Sequence, residues 1–425
     1  MGSKKLEGDC LVASYKQDYE DLNANVERLT RAVTLFQDLG PSREVDVSNA
    51  IACYYLADCS RRAYDIDKAI STFGSCIDVF GKYSLFRRQA DTMRMLARTY
   101  EDTERIDSAI ATAKQALDIS ESHGFTLTTA YCQDQLGRIY FKRGLFLLAL
   151  PLFRTTAELK LSILGESSPY VMILLHLGVT LHMLGRSQEA HEVLEKAYRV
   201  SCRLQIIGYV LDTSRVLGHV ALDQGLVSEA LTRLHVCFRR FHELNWVGGQ
   251  ADCLIPIGEA DFRRGHYATA LSHYNESRRL FRSIKRAGTS FEADVLLKLG
   301  EVCVKTLDLS MAVVRLVSAT IIYRHESMRL GVAECIKGIG DVFLESGDLK
   351  NARNCYAASL GMMKYSGVRR QIADCLLKFG DLAIAESDAR TARSHFENSL
   401  EWYRKAKHYW GQRECEERLR KVNEE

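Results

Sequence analysis

The sequence predicts an all-α fold in which about nine helix–turn–helix units stack into an α-solenoid. Three observations carry this prediction. Proline is rare, with 4 residues among 425, and apolar residues recur at the 3.6-residue period of a helix. No segment alternates polar and apolar residues as a half-buried strand would. A glycine or alanine returns every 40 to 42 residues, which is typical of a repeat protein.

Each repeat is defined by one small residue and by others at fixed distances after it. The small residues are Ala57, Ala97, Gly137, Gly178, Gly218, Gly258, Gly300, Gly340 and Gly380. Alanine follows twelve positions later in all nine repeats, a large residue follows sixteen positions later in eight, and a small one nineteen positions later in all. Because a small residue lets two helices approach and a large one fills the space beside it, the pattern indicates paired helices.

Glycines placed between the two helices of several units mark short turns. One such hairpin cannot bury its own apolar face, so neighbouring units have to stack. We expect a disordered N-terminus at residues 1–10 and capping helices at 11–47. The nine units then fill residues 48–410 as one solenoid, and a C-terminal capping helix covers 411–425.

The composition argues against several classes of partner. The net charge is +3, from 57 basic and 54 acidic residues, which is too balanced to predict binding to nucleic acid or to an anionic membrane. No run of eighteen apolar residues and no signal peptide is present, so membrane association is not expected. Thirteen cysteines without a CxxC pair favour reduced thiols in a cytoplasmic protein.

The order Leu-Gly, then alanine, a large residue and a small residue at these spacings resembles the tetratricopeptide repeat (TPR). The resemblance covers residues 48–410, but these units are about 40 residues long rather than the usual 34. Longer units of this kind are similar to those of Pins-type spindle-orientation adaptors, rapsyn and kinesin light chain. The stretch "LGESSPYVMILLHLGVTLHMLGRSQEA" at 164–190 resembles a kinesin light chain unit most. The resemblance implies a right-handed superhelix that binds other proteins.

No motif predicts an enzyme, a cofactor or a metal. The sequence lacks GxxxxGK[ST], GxGxxG, GxSxG and HExxH. Five cysteines share one repeat position, which allows either a reactive or metal-binding ladder of thiols or a row of small buried residues: Cys132, Cys253, Cys335, Cys375 and Cys415. Neighbouring repeats lie roughly 8–10 Å apart, too far to share one zinc ion, so the packing interpretation is favoured.

The resemblance implies that the first helices line a concave groove. If the usual inward positions transfer, repeats six to nine present more carboxylates than cations there, with a net charge of −6. These candidate partner-binding carboxylates include Asp252, Glu259, Asp294, Glu301, Glu334, Asp341, Asp374 and Asp381. Repeats one to three have a net charge of +1, with candidates Arg61, Arg62, Arg94, Arg98 and Arg138. Repeat four is apolar, with candidates Met172, Leu175 and His182.

The expected partner is therefore an extended or helical peptide segment of another protein that carries basic and apolar residues. The favoured function is a non-enzymatic adaptor or scaffold. One alternative is a regulatory sensor whose superhelical shape changes when a peptide or protein binds. A second is a rapsyn-like membrane-associated clustering scaffold, which is weakened by Leu6, because the N-myristoylation motif requires Ser or Thr at that position.

Overall fold

The computed structural model describes residues 2–15, 21–103, 105–364 and 366–424, and in these residues it contains 21 α-helices and no strand. The terminal helices are α1 (Gly2–Tyr15), α2 (Leu22–Gln37) and α21 (Tyr409–Glu424). The first helices of the repeats are α3 (Arg43–Arg62), α5 (Phe86–Asp102), α7 (Thr126–Lys142), α9 (Ser168–Met183), α11 (Ile207–Asp223), α13 (Val247–Arg263), α15 (Ser290–Lys305), α17 (Arg329–Glu345) and α19 (Arg369–Ala385). The second helices are α4 (Ile66–Lys82), α6 (Ile106–Ser122), α8 (Phe146–Leu164), α10 (Ser187–Arg203), α12 (Val227–Glu243), α14 (Tyr267–Ser283), α16 (Leu309–His325), α18 (Leu349–Met363) and α20 (Ala389–Ala406).

The nine predicted hairpins are present, and their small and large positions meet as the spacing predicts. A Cβ atom added at Gly178 would lie 2.5 Å from the Leu194 side chain, and one added at Gly258 would lie 2.7 Å from the Tyr274 ring. Both large residues are completely buried. Real Cβ atoms do not approach so closely, so glycine at these positions is what allows the two helices of a unit to pack.

In several units, the small residue nineteen positions after the repeat-defining glycine or alanine also makes a polar contact between the two helices of that unit. The hydroxyl groups of Ser277, Ser359 and Ser399 donate hydrogen bonds of 2.7–2.9 Å to main-chain carbonyl oxygens 26 residues earlier, on the first helix. The Cys76 thiol makes the equivalent bond at 3.3 Å. Because a buried hydroxyl needs a partner, this bond explains how polar residues are accommodated at a closely packed position.

The predicted disorder of residues 1–10 is wrong for residues 2–10, because helix α1 already begins at Gly2. Gly8 is buried, and a Cβ atom there would lie 2.6 Å from the ring of Phe36 on α2. Val12 and Tyr15 complete the packing of α1 in the same apolar cluster. The first repeat helix begins at Arg43 rather than 48, after Ser42, whose side chain accepts a hydrogen bond of 3.2 Å from the Val45 amide as an N-cap.

The chain divides into two compact units. Unit 1 comprises 1–139 and 158–163, and unit 2 comprises 140–157 and 164–425. Within unit 2, one apolar cluster joins Phe146 and Leu150 to Ala333, Met363 and Val368, which are about 200 residues later in the chain. The helices of unit 2 therefore curve so far that the beginning of the unit packs against its end. None of the helices in the described part of the chain has the length and apolarity needed to cross a membrane.

Candidate functional site

The concave side of unit 2 encloses a cavity of about 190 Å³. It is lined by the first helices α13, α15, α17 and α19 and by the start of α21. Three aromatic side chains reach it, from Phe262, Tyr403 and Trp410. Its charged lining consists of six carboxylates and six cations: Glu259, Glu301, Glu334, Asp341, Asp374 and Glu414, with Arg263, Lys298, Lys305, Lys337, Arg370 and Lys378.

The expected net charge of −6 is therefore wrong for this cavity, where the two signs are equal in number. Lys298 and Lys378 stand two residues before the small residue of their repeats, a position that the inward-facing pattern left out. Lys298 lies 3.1 Å from Glu259 and 2.8 Å from Glu301. Lys378 lies 3.2 Å from Asp341. These cations neutralise candidate carboxylates that the sequence suggested were open to a partner.

The remaining carboxylates of repeats eight and nine are also paired. Lys337 is 2.6 Å from Glu334 and 3.7 Å from Asp374. Arg418, on the capping helix α21, donates two hydrogen bonds to Asp381, of 2.5 and 3.2 Å. A bidentate arginine–carboxylate pair is both strong and directional, so Asp381 fixes the C-terminal helix in place.

Buried tyrosines hold several of the candidate carboxylates. Tyr323 and Tyr403 donate their hydroxyl hydrogens to Asp294 and Asp374, respectively, each 29 residues earlier. Tyr356 donates a bond of 2.7 Å to Asp341. Burial raises the pKa of Asp294 to about 6, and burial likewise raises the pKa of Asp252 above its usual value. These carboxylates therefore hold neighbouring helices together as well as lying on the concave side.

Asp223, at the end of α11, is the centre of a cluster that the sequence did not predict. Its carboxylate lies 2.9 Å from Arg263 and 3.2 Å from Arg370, and 3.5 Å from both His182 and His408. Arg370 and Arg263 hold the pKa of Asp223 well below its ordinary value, against the opposing effect of its burial. This arrangement joins α9, α11, α13, α19 and the residue before α21.

One signal in the sequence could have identified Asp223. It stands five residues after Gly218, at one of the positions that were expected to face the groove. It belongs to the fifth repeat, whose charges were not counted. No periodic signal marks Arg370, which lies ten residues before Gly380 at the very start of its helix. His182 was predicted as part of an apolar centre, and the structure instead places it beside Asp223.

The other candidates of repeat four have different surroundings. Leu175 packs against a buried cluster that contains Leu194 and Val216. Met172 is half-buried on α9. Neither side chain is among those that line the cavity.

The five candidate arginines lie in unit 1, on the first helices of repeats one to three. Arg61 bridges Asp58 and Asp102, at 2.9 Å from each. Arg138 lies 3.7 Å from Glu101. The remaining three are partly buried: Arg62, Arg94 and Arg98.

Arg94 and Arg98 show how closely this part of unit 1 is packed. The guanidinium carbon of Arg94 lies 5.7 Å from the centre of the Tyr131 ring, close enough for a cation–π contact. Burial, together with the nearby charges of Arg61 and Arg138, lowers the pKa of Arg98. This region therefore combines several guanidinium groups with a few carboxylates at partly buried positions.

The five cysteines at one repeat position are all completely buried, as the packing interpretation predicts. Burial raises the pKa of Cys132, Cys335, Cys375 and Cys415 to about 12. Thiols of this kind stay protonated and are poor nucleophiles. Among the described residues, no group of three or more His, Cys, Asp and Glu side chains is arranged to hold a metal ion.

Comparisons with known proteins agree with this architecture. Two family models, both described as Tetratricopeptide repeat, match residues 126–203 and 90–123. Together with the nine hairpins, these matches show that the chain contains tetratricopeptide repeats. No curated protein sequence matches it. Solenoids of this class generally present an extended concave surface for binding.

Two solved Rap structures share the fold at low sequence identity. A Rap protein complexed with Competence and Sporulation Factor has a TM-score of 0.56 and 14% identity, and the match covers 89% of this chain and 98% of that one. The apo form of RapI has a TM-score of 0.54 and 12% identity, over 67% of this chain and 98% of that one. A putative kinesin light chain of Podosopora anserina is 19% identical, with a TM-score of 0.39, over 47% of this chain and 94% of that one.

Proposed function

We propose that the protein is a non-enzymatic adaptor that binds a peptide or helical segment of a partner protein in the cavity of unit 2. The observation that carries the proposal is the composition of the cavity wall, where six carboxylates and six cations surround three aromatic side chains. Ligand sites generally combine an apolar lining with a few convergent polar groups that fix the orientation of the ligand. All 13 cysteines are free thiols, which supports a cytoplasmic location.

The chemistry of the wall favours a segment that carries charges of both signs. Acidic residues of the partner would pair with Lys305, which is exposed. Basic residues of the partner would take the place of Lys298 beside Glu301 and of Lys337 beside Glu334. An apolar anchor would pack against Val304, Leu377 and Trp410, which line the same cavity. Charges arranged in this way contribute more to orientation and specificity than to affinity.

The Rap protein of similar fold is described as a complex with Competence and Sporulation Factor. A solenoid of this shape can therefore form a complex with a second molecule, which supports the proposal. The regulatory sensor remains a second candidate function. It is favoured by the packing of the first helices of unit 2 against its last ones, because a ligand that binds better when these helices are apart would shift the protein towards that state.

A peptide-display experiment tests this function. A random 12-residue library would be selected on the full chain, and enriched peptides would be labelled and titrated by fluorescence anisotropy. Lys305 lines the cavity and is exposed, so Lys305→Glu should change the affinity of selected peptides by about tenfold, equivalent to 1.4 kcal/mol. The matched control is Lys350→Glu, at an exposed lysine on α18 that does not line the cavity. Equal effects of the two substitutions would contradict the proposal.

A further inference from the structure

The first and last repeats of unit 2 meet along a line of contacts that we call the seam. One side consists of the turns after α7, α9 and α11, at Gly144, Gly185 and Gly225. The other side consists of Leu330, at the start of α17, of Arg370, at the start of α19, and of residues 406–410, which run from the end of α20 to the first turn of α21. The residues joined by hydrogen bonds across the seam are 147 to 219 positions apart in the sequence.

Hydrogen bonds and ion pairs cross the seam. The Trp410 indole N–H donates a bond of 3.0 Å to the Leu222 carbonyl oxygen. The Ser187 hydroxyl donates a bond of 3.4 Å to the Ala406 carbonyl oxygen. The Arg370 guanidinium lies 3.2 Å from Asp223. Each of these bonds involves a different pair of elements, so the contact extends along the seam rather than at one point.

The turn glycines of the seam are closely approached, whereas their counterparts elsewhere in unit 2 are not. A Cβ atom at Gly225 would lie 2.5 Å from the Tyr409 ring, and one at Gly185 would lie 2.9 Å from the Cβ of Ala406. Gly265 and Gly347 occupy the same turn in other repeats, and nothing lies within 4 Å of a Cβ atom there. All four have positive φ angles, of 70° to 82°. The crowding is therefore a property of the seam and not of the turn.

The seam also forms part of the wall of the cavity. Arg370, His408 and Trp410 lie at the seam and line the cavity at the same time. The cavity volume of about 190 Å³ is below the range of roughly 300–1,000 Å³ that is usual for ligand pockets. Movement of the wall would make room for more of a peptide segment, and the seam is the part of the wall that consists of contacts between distant repeats.

We propose that the seam is a latch, which opens to admit the partner segment to the cavity of unit 2. This inference rests on the proposed function. Opening separates Trp410 from Leu222 and Arg370 from Asp223 while the neighbouring repeats remain stacked. Because only molecules with an open seam can bind, the closed state reduces the apparent affinity and the association rate by the fraction that is open.

A matched pair of glycine variants tests the latch. Gly225 and Gly265 have φ angles of 82° and 80°, and asparagine tolerates this conformation better than other residues with a side chain. Gly225→Asn places a side chain against Tyr409 and opens the seam, whereas Gly265→Asn introduces the same backbone strain in open space. Hydrogen exchange of segment 404–412 should be faster in Gly225→Asn only.

Peptides from the 12-residue library, selected separately on the wild-type chain and on Gly225→Asn, are the binding probe. We expect association with Gly225→Asn to be at least about tenfold faster than with wild type or Gly265→Asn, as follows if fewer than roughly one molecule in ten is open. Equal association rates for the three proteins would overturn the latch and leave the proposed function intact. Failure of every peptide to bind any of the three would overturn the proposed function, and the latch with it.

A cross-link supplies an independent test, in which the reduced protein carries the same strain at Gly144 (φ 72°) as the oxidised one and so serves as its control. A Cβ atom at Gly144 would lie 3.4 Å from the Cβ of Leu330, close to the 3.5–4.5 Å separation of a disulfide. In the double variant Gly144→Cys/Leu330→Cys, the oxidised protein should bind the selected peptides at least about tenfold more slowly than the same protein after reduction. Equal rates before and after reduction, with the linked peptide confirmed by mass spectrometry, would overturn the latch.

Discussion

The indole N–H of Trp410 donates a hydrogen bond of 3.0 Å to the carbonyl oxygen of Leu222, a residue 188 positions earlier in the chain. Leu222 lies in the last turn of α11 and Trp410 in the first turn of α21. The bond therefore connects the fifth repeat to the C-terminal capping helix. It is one of the contacts through which unit 2 closes on itself.

The first prediction concerns this bond. Trp410→Phe keeps an aromatic side chain but removes the donor, so the free energy of unfolding should fall by about 1 kcal/mol. The control is Trp402→Phe at a partly buried tryptophan of α20 that makes no contact across the seam. Urea denaturation followed by circular dichroism measures both. A larger loss in the control would show that the Trp410 bond adds little to stability.

The second prediction concerns Asp223. Asp223→Asn keeps the shape of the side chain but leaves Arg263 and Arg370 beside a neutral group, and both guanidinium groups are partly or largely buried. Removing one partner of a buried ion pair is costly, so we expect the free energy of unfolding, measured by urea denaturation, to fall by about 3–5 kcal/mol. Glu243→Gln, at an exposed pair with Arg240, is the control and should cost less than about 0.5 kcal/mol.

The third prediction concerns acid sensitivity. Burial lowers the pKa of His219 to about 3, against about 6.5 in an unfolded chain. Below pH 6.5 the unfolded chain binds a proton that the folded protein does not, so stability falls as the pH decreases towards 3. The slope for one such group is at most about 1.4 kcal/mol per pH unit. The charged and titratable groups that act on His219 are Asp223, His182, Arg263 and Arg370.

Urea denaturation between pH 7 and 4.5 measures this slope. Burial also lowers the pKa of His182, which adds to the slope with the same sign. His219→Gln should therefore make the free energy of unfolding less dependent on pH, without removing the dependence completely. His235→Gln, at an exposed position on α12, should leave it unchanged. Identical slopes for wild type and His219→Gln would contradict the prediction.

The fourth prediction separates two roles of helical glycine. Gly258→Ala forces a methyl group into the Tyr274 ring and should destabilise the protein by about 1–3 kcal/mol. Gly74→Ala, in the middle of α4 with nothing within 4 Å, should stabilise it by about 0.5–1 kcal/mol. Thermal melting of the two variants beside wild type measures the signs. Two shifts of the same sign would show that helix propensity or packing alone governs both sites.

The fifth prediction concerns thiol reactivity. Cys10 and Cys202 are exposed, whereas the five cysteines at the shared repeat position are buried. A thiol reagent at neutral pH should modify the two exposed residues rapidly, and the buried five only when the chain unfolds. Mass spectrometry of labelled peptides over time measures the order. Rapid labelling of Cys375 in the native protein would contradict the packing described here.

The repeat pattern predicted the hairpins because the contacts that define a hairpin lie within one unit. The pairing of a small residue with one sixteen positions later, as in Gly178 and Leu194, recurs at constant spacing, so the copies reinforce one another in the sequence. The charge of the concave side was predicted less well. Lys298 and Lys378 stand at a position occupied by Pro256 and Gly338 in neighbouring repeats, so no periodic signal identified them.

The Asp223 cluster and the seam could not be predicted in this way. Their contacts join repeats that are neighbours only because of the curvature of unit 2. Arg370 shares its repeat position with a single other arginine, Arg87, so it forms no periodic pattern. Residues 2–10 were mispredicted for a related reason. The segment is polar, and its burial depends on one close contact between Gly8 and Phe36.

The seam has a consequence for folding cooperativity. In an open array of repeats each unit contacts only its neighbours, so stability is a sum of local terms and the ends fray first. In unit 2 the C-terminal helix α21 also contacts the end of α11, and this contact removes a free end from the array. Deleting α21 would therefore restore a free C-terminal end, and fraying would begin at the ninth repeat.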